Sequence, residues 1–134
     1  MDQDIFIGEV QQRASLSSRG EADSATRAVL STLGQRITED EAEDIAAQLP
    51  MEIGRYLTDG VEHAQQFDFE GFAERVAQKA EAADVEDDPR GTAQAVVGVT
   101  VEATDGGELR DIVSQLPQNE AYGGLLTGVE EAET

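Results

Sequence analysis

The sequence predicts an all-α fold, a helical bundle made of two tandem homologous repeats of three to four helices each. Three observations predict this class. Apolar residues recur every three or four positions, which is the pattern of a helix with one buried face. A shift of 66 or 67 residues lays the second half of the chain on the first, so that IAAQLP at 45–50 matches IVSQLP at 112–117. The prolines stand where predicted helices begin or end.

The repeat predicts the organisation of the chain. We expect a first helical repeat over residues 1–60, a linker over 61–67, and a second helical repeat over 68–128 packed on the first as one compact unit. Residues 129–134 are expected to form a frayed acidic tail, since chain ends are commonly poorly ordered.

The first two helices of each repeat are predicted from their apolar stripes. Phe6 and Val10 lie four residues apart and match Phe72 and Val76 in the second half. The stretch AQAVVGVTVEA at 93–103 alternates valines like a strand. Its counterpart in the first half, TRAVLSTLGQR, has a helical pattern, so we predict a helix there also.

The third helix of each repeat has a predicted start. Thr38 with Glu41 three residues later matches the capping-box pattern, in which each side chain bonds the backbone N–H of the other residue. Asp105 with Glu108 repeats the pattern. The acids also favour the positive end of the helix dipole.

The third helix also has a predicted end, because the residue before a proline disfavours helical backbone. Pro50 and Pro117 therefore stop the two helices, and short fourth helices are expected after them, the second looser than the first. Packing explains the apolar residues of both segments but leaves Gln48 and Gln115 unexplained. We take these two as candidate contact points, or as caps of the last carbonyl groups.

The net charge of the chain predicts the salt concentration to which it is adapted. The chain has 29 acidic and 9 basic residues, a net charge of −20, and a single lysine, Lys79. The charge is spread out, with −8 on the first 66 residues and −12 on the rest. Such a surface repels itself at 0.1 M salt, where the Debye length is about 10 Å, but hardly at 1 M, where it is about 3 Å. We predict adaptation to high salt, with hydrated salt cations at the acidic surface.

Composition also excludes several classes of function. No cysteine means no disulfide, thiolate metal site or cysteine nucleophile. The acidity disfavours binding to nucleic acid or to an anionic membrane, which needs basic residues. No leader-like or membrane-spanning stretch is present, so a soluble, cytoplasmic protein is expected.

Few residues have the arrangement that catalysis or metal binding needs. His63, the only histidine, has no marked catalytic partner and is interpreted as a solvated linker residue. Asp84, Glu86 and Asp88 match the first ligand spacings of a calcium loop, but the required later glycine and glutamate are missing. We interpret this segment as the acidic start of a helix at Pro89, with weak cation binding as the alternative. We predict no catalytic residue, metal ligand or cofactor.

The motifs FAERVAQKA, TRAVL, EAEDIAAQLP and GGELRDIVSQLP resemble the domain-of-unknown-function 2267 family, in a halophilic, haloarchaeal-type version. The similarity covers nearly the whole chain, and TRAVL and AAQLP are its most specific parts. The resemblance implies an all-helical, two-repeat fold. It implies no activity, substrate or catalytic residue.

Two functional hypotheses remain. The first is a non-enzymatic interaction or regulatory module, which binds an unknown protein partner or associates with itself. It predicts a bundle with few pockets and an exposed apolar patch. The second is a metal-dependent enzyme that uses clustered carboxylates, and it predicts acids that converge in a cleft with raised pKa values.

Overall fold

The computed structural model describes residues 1–105 and 107–126, and these residues are helical with no β-strand among them. The predicted all-α class is therefore confirmed. The α-helices are α1 (Gln3–Arg13), α2 (Arg19–Arg36), α3 (Glu39–Ala46), α4 (Met51–Thr58), α5 (Phe69–Ala80), α6 (Ala83–Asp87), α7 (Pro89–Ala103) and α8 (Gly107–Ser114). Two 3₁₀ helices follow, Gln118–Glu120 and Tyr122–Leu126, and we call residues 118–126 the 3₁₀ segment.

The helix α2 lies at the centre of the bundle and contacts α1, α4, α5 and α7. It is the longest helix, and most of its apolar residues are buried, from Ala22 to Leu33. The buried side chains of both halves of the chain join in one core, in which Phe6 and Phe72 are each fully buried. Burial at this central helix brings distant segments of the sequence together.

The predicted helix over 93–103 is confirmed as part of α7. Val97, Val99 and Val101 are buried, but so are Gly98 and Thr100 between them. A strand with one solvated face would expose every second residue, whereas α7 is covered on several sides. The alternation of valines therefore reflects a deeply buried helix.

The predicted start of α3 is confirmed, and that of α8 is partly wrong. The N–H of Glu41 donates to the Thr38 hydroxyl at 3.1 Å, and the N–H of Thr38 donates to the Glu41 carboxylate at 2.9 Å. In the second half the N–H of Asp105 donates to the side chain of Gln48 at 2.8 Å and not to Glu108. In a capping box the carboxylate of Glu108 would accept this N–H. Here the side-chain oxygen of Gln48 accepts it instead.

Two glycines allow α4 to approach its neighbours closely. A Cβ atom on Gly34 of α2 would lie 2.4 Å from the carbonyl oxygen of Leu57, and one on Gly54 would lie 2.6 Å from that of Ala46. Real Cβ atoms do not come so near to a backbone oxygen. These glycines place α4 against α2 and α3, and so determine the shape of the surface between them.

The linker is bound to the end of α2. The N–H of Ala64 donates to the Ile37 carbonyl at 2.8 Å, and Nδ1 of His63 lies 2.8 Å from the Gly34 carbonyl oxygen. His63 is half-buried. The interpretation of this histidine as a solvated residue is therefore wrong, because the linker folds back along α2.

The 3₁₀ segment matches the predicted looser fourth helix. It is interrupted at Ala121, whose φ of 66° is left-handed. The phenolic hydroxyl of Tyr122 donates to the carbonyl of Phe67 at 2.6 Å, which attaches the segment to the start of α5. The predicted end of the second repeat at 127–128 and the predicted tail over 129–134 lie outside the described residues.

None of the described helices combines the length and the apolar character needed to cross a membrane.

Candidate functional site

A groove of about 720 Å³ opens between α2, α4 and the end of α5. The side of α2 that faces it carries Ser24, Arg27 and Ser31, which lie three and four residues apart and therefore share one helix face. Arg55 enters from α4 and Lys79 from α5. We call this site, with its basic residues Arg27, Arg55 and Lys79, the cationic groove. Its size corrects the expectation of a bundle with few pockets.

The charge of the groove differs from that of the whole chain. It holds three of the nine basic residues, including the only lysine, and three acids, Glu52, Asp59 and Glu81. Its lining is therefore balanced, whereas the chain carries a net charge of −20. The groove is a locally neutral part of an otherwise acidic chain.

The ammonium group of Lys79 is held by neutral oxygens. Its Nζ donates to Thr32 Oγ1 at 3.0 Å, to Gln35 Oε1 at 3.0 Å and to Ser31 Oγ at 3.3 Å. An ammonium group has three donors, so these contacts satisfy its hydrogen bonds. They leave its charge without a carboxylate partner.

The environment of Lys79 lowers the pKa of its amine to about 8. Partial burial of the ammonium group is the larger cause, and repulsion by the guanidinium of Arg75 is the smaller one. Burial disfavours the charged form of a lysine because the charge loses hydration. A bound anion would stabilise the ammonium group in place of the lost hydration, so the site is suited to bind an anion.

Arg27 is the second cation of the groove without an acidic partner. Four other arginines pair with carboxylates, among them Arg55 with Asp59 at 3.0 Å. Arg75 and Arg90 lie over the rings of phenylalanines. Arg27 is exposed and forms no ion pair or hydrogen bond with the part of the chain that the structure describes. The guanidinium group of Arg27 therefore has donors available for an added anion.

Tyr56 forms one wall of the groove. Its hydroxyl donates to Asp23 at 2.9 Å, and burial together with this carboxylate raises its pKa. Ser24 donates its hydroxyl to the carbonyl of Ala80, which joins α2 to the end of α5 below Lys79. The walls are therefore cross-linked by hydrogen bonds, and the positions of the cations are defined by helices that pack on one core.

The two glutamines singled out in the sequence have different surroundings. The side-chain amide of Gln48 donates to the carbonyl of Asp44 at 3.2 Å, which caps the end of α3, and to the carboxylate of Glu108 at 3.2 Å. Gln48 therefore connects α3 to the start of α8. Gln115 is exposed. The structure does not bring the two together in the groove, and their role as contact points for a partner stays a prediction.

The acidic segment Asp84–Asp88 forms α6 and the start of α7. Asp88 accepts the N–H of Gly91 at 3.0 Å, and Pro89 occupies the first turn of α7. The interpretation as a helix start is therefore confirmed. Across residues 1–105 and 107–126, no group of three or more possible metal-binding side chains is found.

Sequence reasoning missed the groove because its residues are far apart in the chain. Arg27 and Lys79 are brought together only by the packing of α2 on α5. One signal was present in the sequence, namely that the only lysine stands among 29 acids. Without a fold, this signal does not indicate which residues surround it.

The model of the DUF2267 family, described as an uncharacterized conserved protein, matches residues 3–121. No curated protein matches the chain.

Proposed function

The chain belongs to the DUF2267 family, and from this premise we propose a non-enzymatic helical interaction module that is adapted to high salt and binds an acidic segment of a protein partner in the cationic groove. The family description names no activity. The observation that carries the proposal is the pair of cations, Arg27 and Lys79, which have no carboxylate partner in a chain of −20.

A carboxylate is the ligand that these cations favour. It would accept from Arg27 and replace Ser31, the longest of the three contacts of the Lys79 ammonium. Charge-assisted hydrogen bonds of this kind contribute more than neutral ones. At high salt only such direct contacts remain effective, because attraction between exposed charges over longer distances is lost.

We also propose that the chain is built from two tandem repeats, as the sequence predicts. Asp2 and Asp68, 66 residues apart, both cap a helix by accepting the N–H of the third residue after them. Phe6 and Phe72, separated by the same interval, are both fully buried. These matches support the boundaries 1–60, 61–67 and 68–128.

Adaptation to high salt, in the cytoplasm of a salt-accumulating host, rests on the dispersed acidic charge. We expect the helical circular dichroism signal to fall as salt is dialysed from molar to millimolar concentration, because the carboxylates then repel one another. A signal that stays constant over this range would contradict the adaptation. It would leave the groove as a binding site intact.

The binding proposal is tested by capture from an extract of the native host in molar salt, with tagged protein as bait. Wild type, the double variant R27Q/K79M and the control R90Q are compared. The control also removes a basic residue, but Arg90 lies over the ring of Phe69, outside the groove.

We expect wild type and R90Q to retain the same stoichiometric partner and the double variant to lose it. A synthetic acidic peptide from that partner should then bind wild type at least about tenfold more tightly than the double variant, as expected for one lost charge-assisted contact. Equal capture by all three baits would contradict the groove as the binding site. Capture of a second copy of this chain would identify self-association.

A further inference from the structure

The chain contains one side-chain amine, and the structure places it at a groove. Nζ of Lys79 is surrounded by Ser31, Thr32 and Gln35, whose oxygens can accept from an ammonium group but do not neutralise it. The hydroxyl groups of Ser31 and Thr32 donate to the Ala28 carbonyl, at 3.3 and 2.7 Å, and offer lone pairs to the amine. A neutral amine keeps two donors for these acceptors, so the surroundings can hold its neutral form as well as its charged form.

We propose that Lys79 is a site of covalent capture, where its amine forms a Schiff base with a small anionic aldehyde or 2-oxo acid held in the cationic groove. This inference goes beyond the binding of a protein partner and does not depend on it. It rests on the groove, on the two arginines that line it with Lys79, and on the neutral contacts of the amine.

The step needs no reagent besides the carbonyl compound. The lone pair of Nζ attacks the carbonyl carbon, and a proton moves from nitrogen to oxygen to give a carbinolamine. The second proton of the nitrogen then passes to the hydroxyl oxygen, the carbon–oxygen bond breaks, water leaves, and the carbon–nitrogen double bond of the imine forms. The Ser31 hydroxyl, whose bond to the Ala28 carbonyl is long at 3.3 Å, can turn to donate to the developing oxygen anion.

The reactivity of the amine follows from its surroundings. A lysine with an ordinary pKa near 10.4 is about 0.1% neutral at pH 7.5. The partial burial of Lys79 and its repulsion by Arg75 lower its pKa to about 8, so that about a quarter of it is neutral at that pH. Only the neutral amine attacks a carbonyl group. The groove therefore supplies many more reactive amines than a solvated lysine does.

The rest of the groove selects an anion. Arg27 has no carboxylate partner among the described residues, and Arg55 contacts only the exposed carboxylate of Asp59. Guanidinium groups bind phosphate and carboxylate with paired donors. Ten residues line about 720 Å³, which is within the range of volumes that small-molecule sites occupy.

The test uses a matched pair of aldehydes, pyridoxal 5′-phosphate and 5-deoxypyridoxal, which share the reactive ring and differ in the phosphate. Imine formation with the full chain is followed by visible absorbance, at a salt concentration where the circular dichroism is native. Borohydride then reduces the imine to a stable secondary amine. Proteolysis and mass spectrometry locate the adduct.

We expect one adduct at Lys79, with the phosphate-bearing aldehyde bound at least about tenfold more tightly than its partner. In R27Q/R55Q this preference should shrink to about twofold or less, while the neutral aldehyde still reacts. K79R keeps the positive charge and should form no adduct at position 79, so that only an adduct at the N-terminal amine can remain.

The inference is overturned if both aldehydes bind equally, or if Lys79 reacts no faster in the native than in the unfolded chain. A native circular dichroism spectrum of each variant excludes misfolding as the cause. Partner capture that depends on Arg27 and Lys79 without adduct formation would retain the proposed function and remove this inference. An adduct without such capture would retain this inference and remove the proposed function.

Discussion

Residues 50–58 and 117–126 both begin with a proline in extended conformation, with φ of −51° and −54° and ψ of 140° and 134°, yet only the first continues as an α-helix. The first region becomes α4 and the second becomes the 3₁₀ segment. They differ in what attaches them to the core. The backbone of α4 lies directly on its neighbours at Gly34 and Gly54. The 3₁₀ segment meets side chains instead of backbone. Glu120 and Tyr122 bond through their own side chains, and the backbone at Gly124 lies against the ring of Phe69.

This difference shows that the proline determines where a helix ends but not the conformation of the residues after it. Close backbone packing requires regular geometry over several residues, which an α-helix supplies. Attachment by a few long side chains tolerates an irregular backbone, including the left-handed Ala121. The two regions should therefore respond differently to matched substitutions.

The largest expected effect comes from Gly54→Ala. Its Cβ would lie 2.6 Å from the Ala46 carbonyl oxygen, and backbone cannot move aside without separating α3 from α4. We expect a loss of about 2–3 kcal/mol in the free energy of unfolding, measured by chemical denaturation in molar salt. The matched change in the 3₁₀ segment, Gly123→Ala, meets nothing within 4 Å and should cost less than about 0.5 kcal/mol. Equal losses would remove the distinction between the two regions.

A second comparison uses ion pairs. Arg36 donates from Nε and Nη2 to one oxygen of Glu120, at 3.0 and 2.6 Å, and both side chains are largely buried, with 9% and 16% exposed. Glu120→Gln removes the neutralising charge and should cost about 2 kcal/mol in unfolding free energy. In the α4 region, Asp59 pairs with Arg55 at an exposed position, so Asp59→Asn should cost less than about 0.5 kcal/mol. A reversed order in denaturant titrations would show that the buried pair is dispensable.

A third comparison uses tyrosines. Tyr122 is 2% exposed, and its hydroxyl donates to the carbonyl groups of Phe67 and Asp68. Tyr122→Phe takes this donor from the Phe67 carbonyl, whereas the Asp68 carbonyl keeps the N–H of Phe72, and it should lower the free energy of unfolding by about 1–1.5 kcal/mol. Tyr56→Phe loses one contact, to Asp23 at a half-buried position, and should cost about 0.5 kcal/mol. Calorimetry of both variants in the same buffer measures the difference.

The smallest expected effect is on the pH dependence of the free energy of unfolding, to which Lys79 and Tyr122 contribute with opposite signs. Beside α4, the pKa of Lys79 is about 8 in the folded chain against 10.5 ordinarily, so the unfolded chain binds more protons between these values. Stability therefore rises from pH 8 to 9.5, by less than about 1 kcal/mol after solvent screening. The variant K79M should lack this rise.

In the 3₁₀ segment, burial raises the pKa of Tyr122 above its ordinary value of 10.0. The folded chain then keeps a proton that the unfolded chain loses, so stability falls as pH rises above 10. Tyr56 of α4 also has a raised pKa and adds to the fall above pH 10. Unfolding free energies of wild type, K79M, Y122F and Y56F across pH 7.5 to 11 separate these contributions. A wild-type profile identical to that of K79M below pH 9.5 would contradict the account of Lys79.

The fold was predictable where the signals are local. Thr38 with Glu41 marks the start of α3, and Pro50 marks its end, because capping and the loss of a backbone donor act within a few residues. The same logic failed at the start of α8. There Gln48, more than fifty residues away, takes the N–H of Asp105. Contacts between distant segments can override a local pattern that is otherwise correct.

The candidate site was not predictable for the same reason. Nothing within a few residues of Lys79 indicates that Ser31 and Gln35 will hold its ammonium group. His63 likewise reaches the Gly34 carbonyl only because the linker folds back on α2. Sequence patterns report the periodicity of one element, whereas a groove depends on which elements meet.

The pair between Arg36 and Glu120 joins residues 84 positions apart, which has a consequence for biosynthesis. A ribosome adds about 5–20 residues per second, so the guanidinium group emerges several seconds before the carboxylate that neutralises it. During that interval, burial of the end of α2 would leave a charge without its partner, which is costly. The last turn of the central helix therefore reaches its final packing only after nearly the whole chain has been translated.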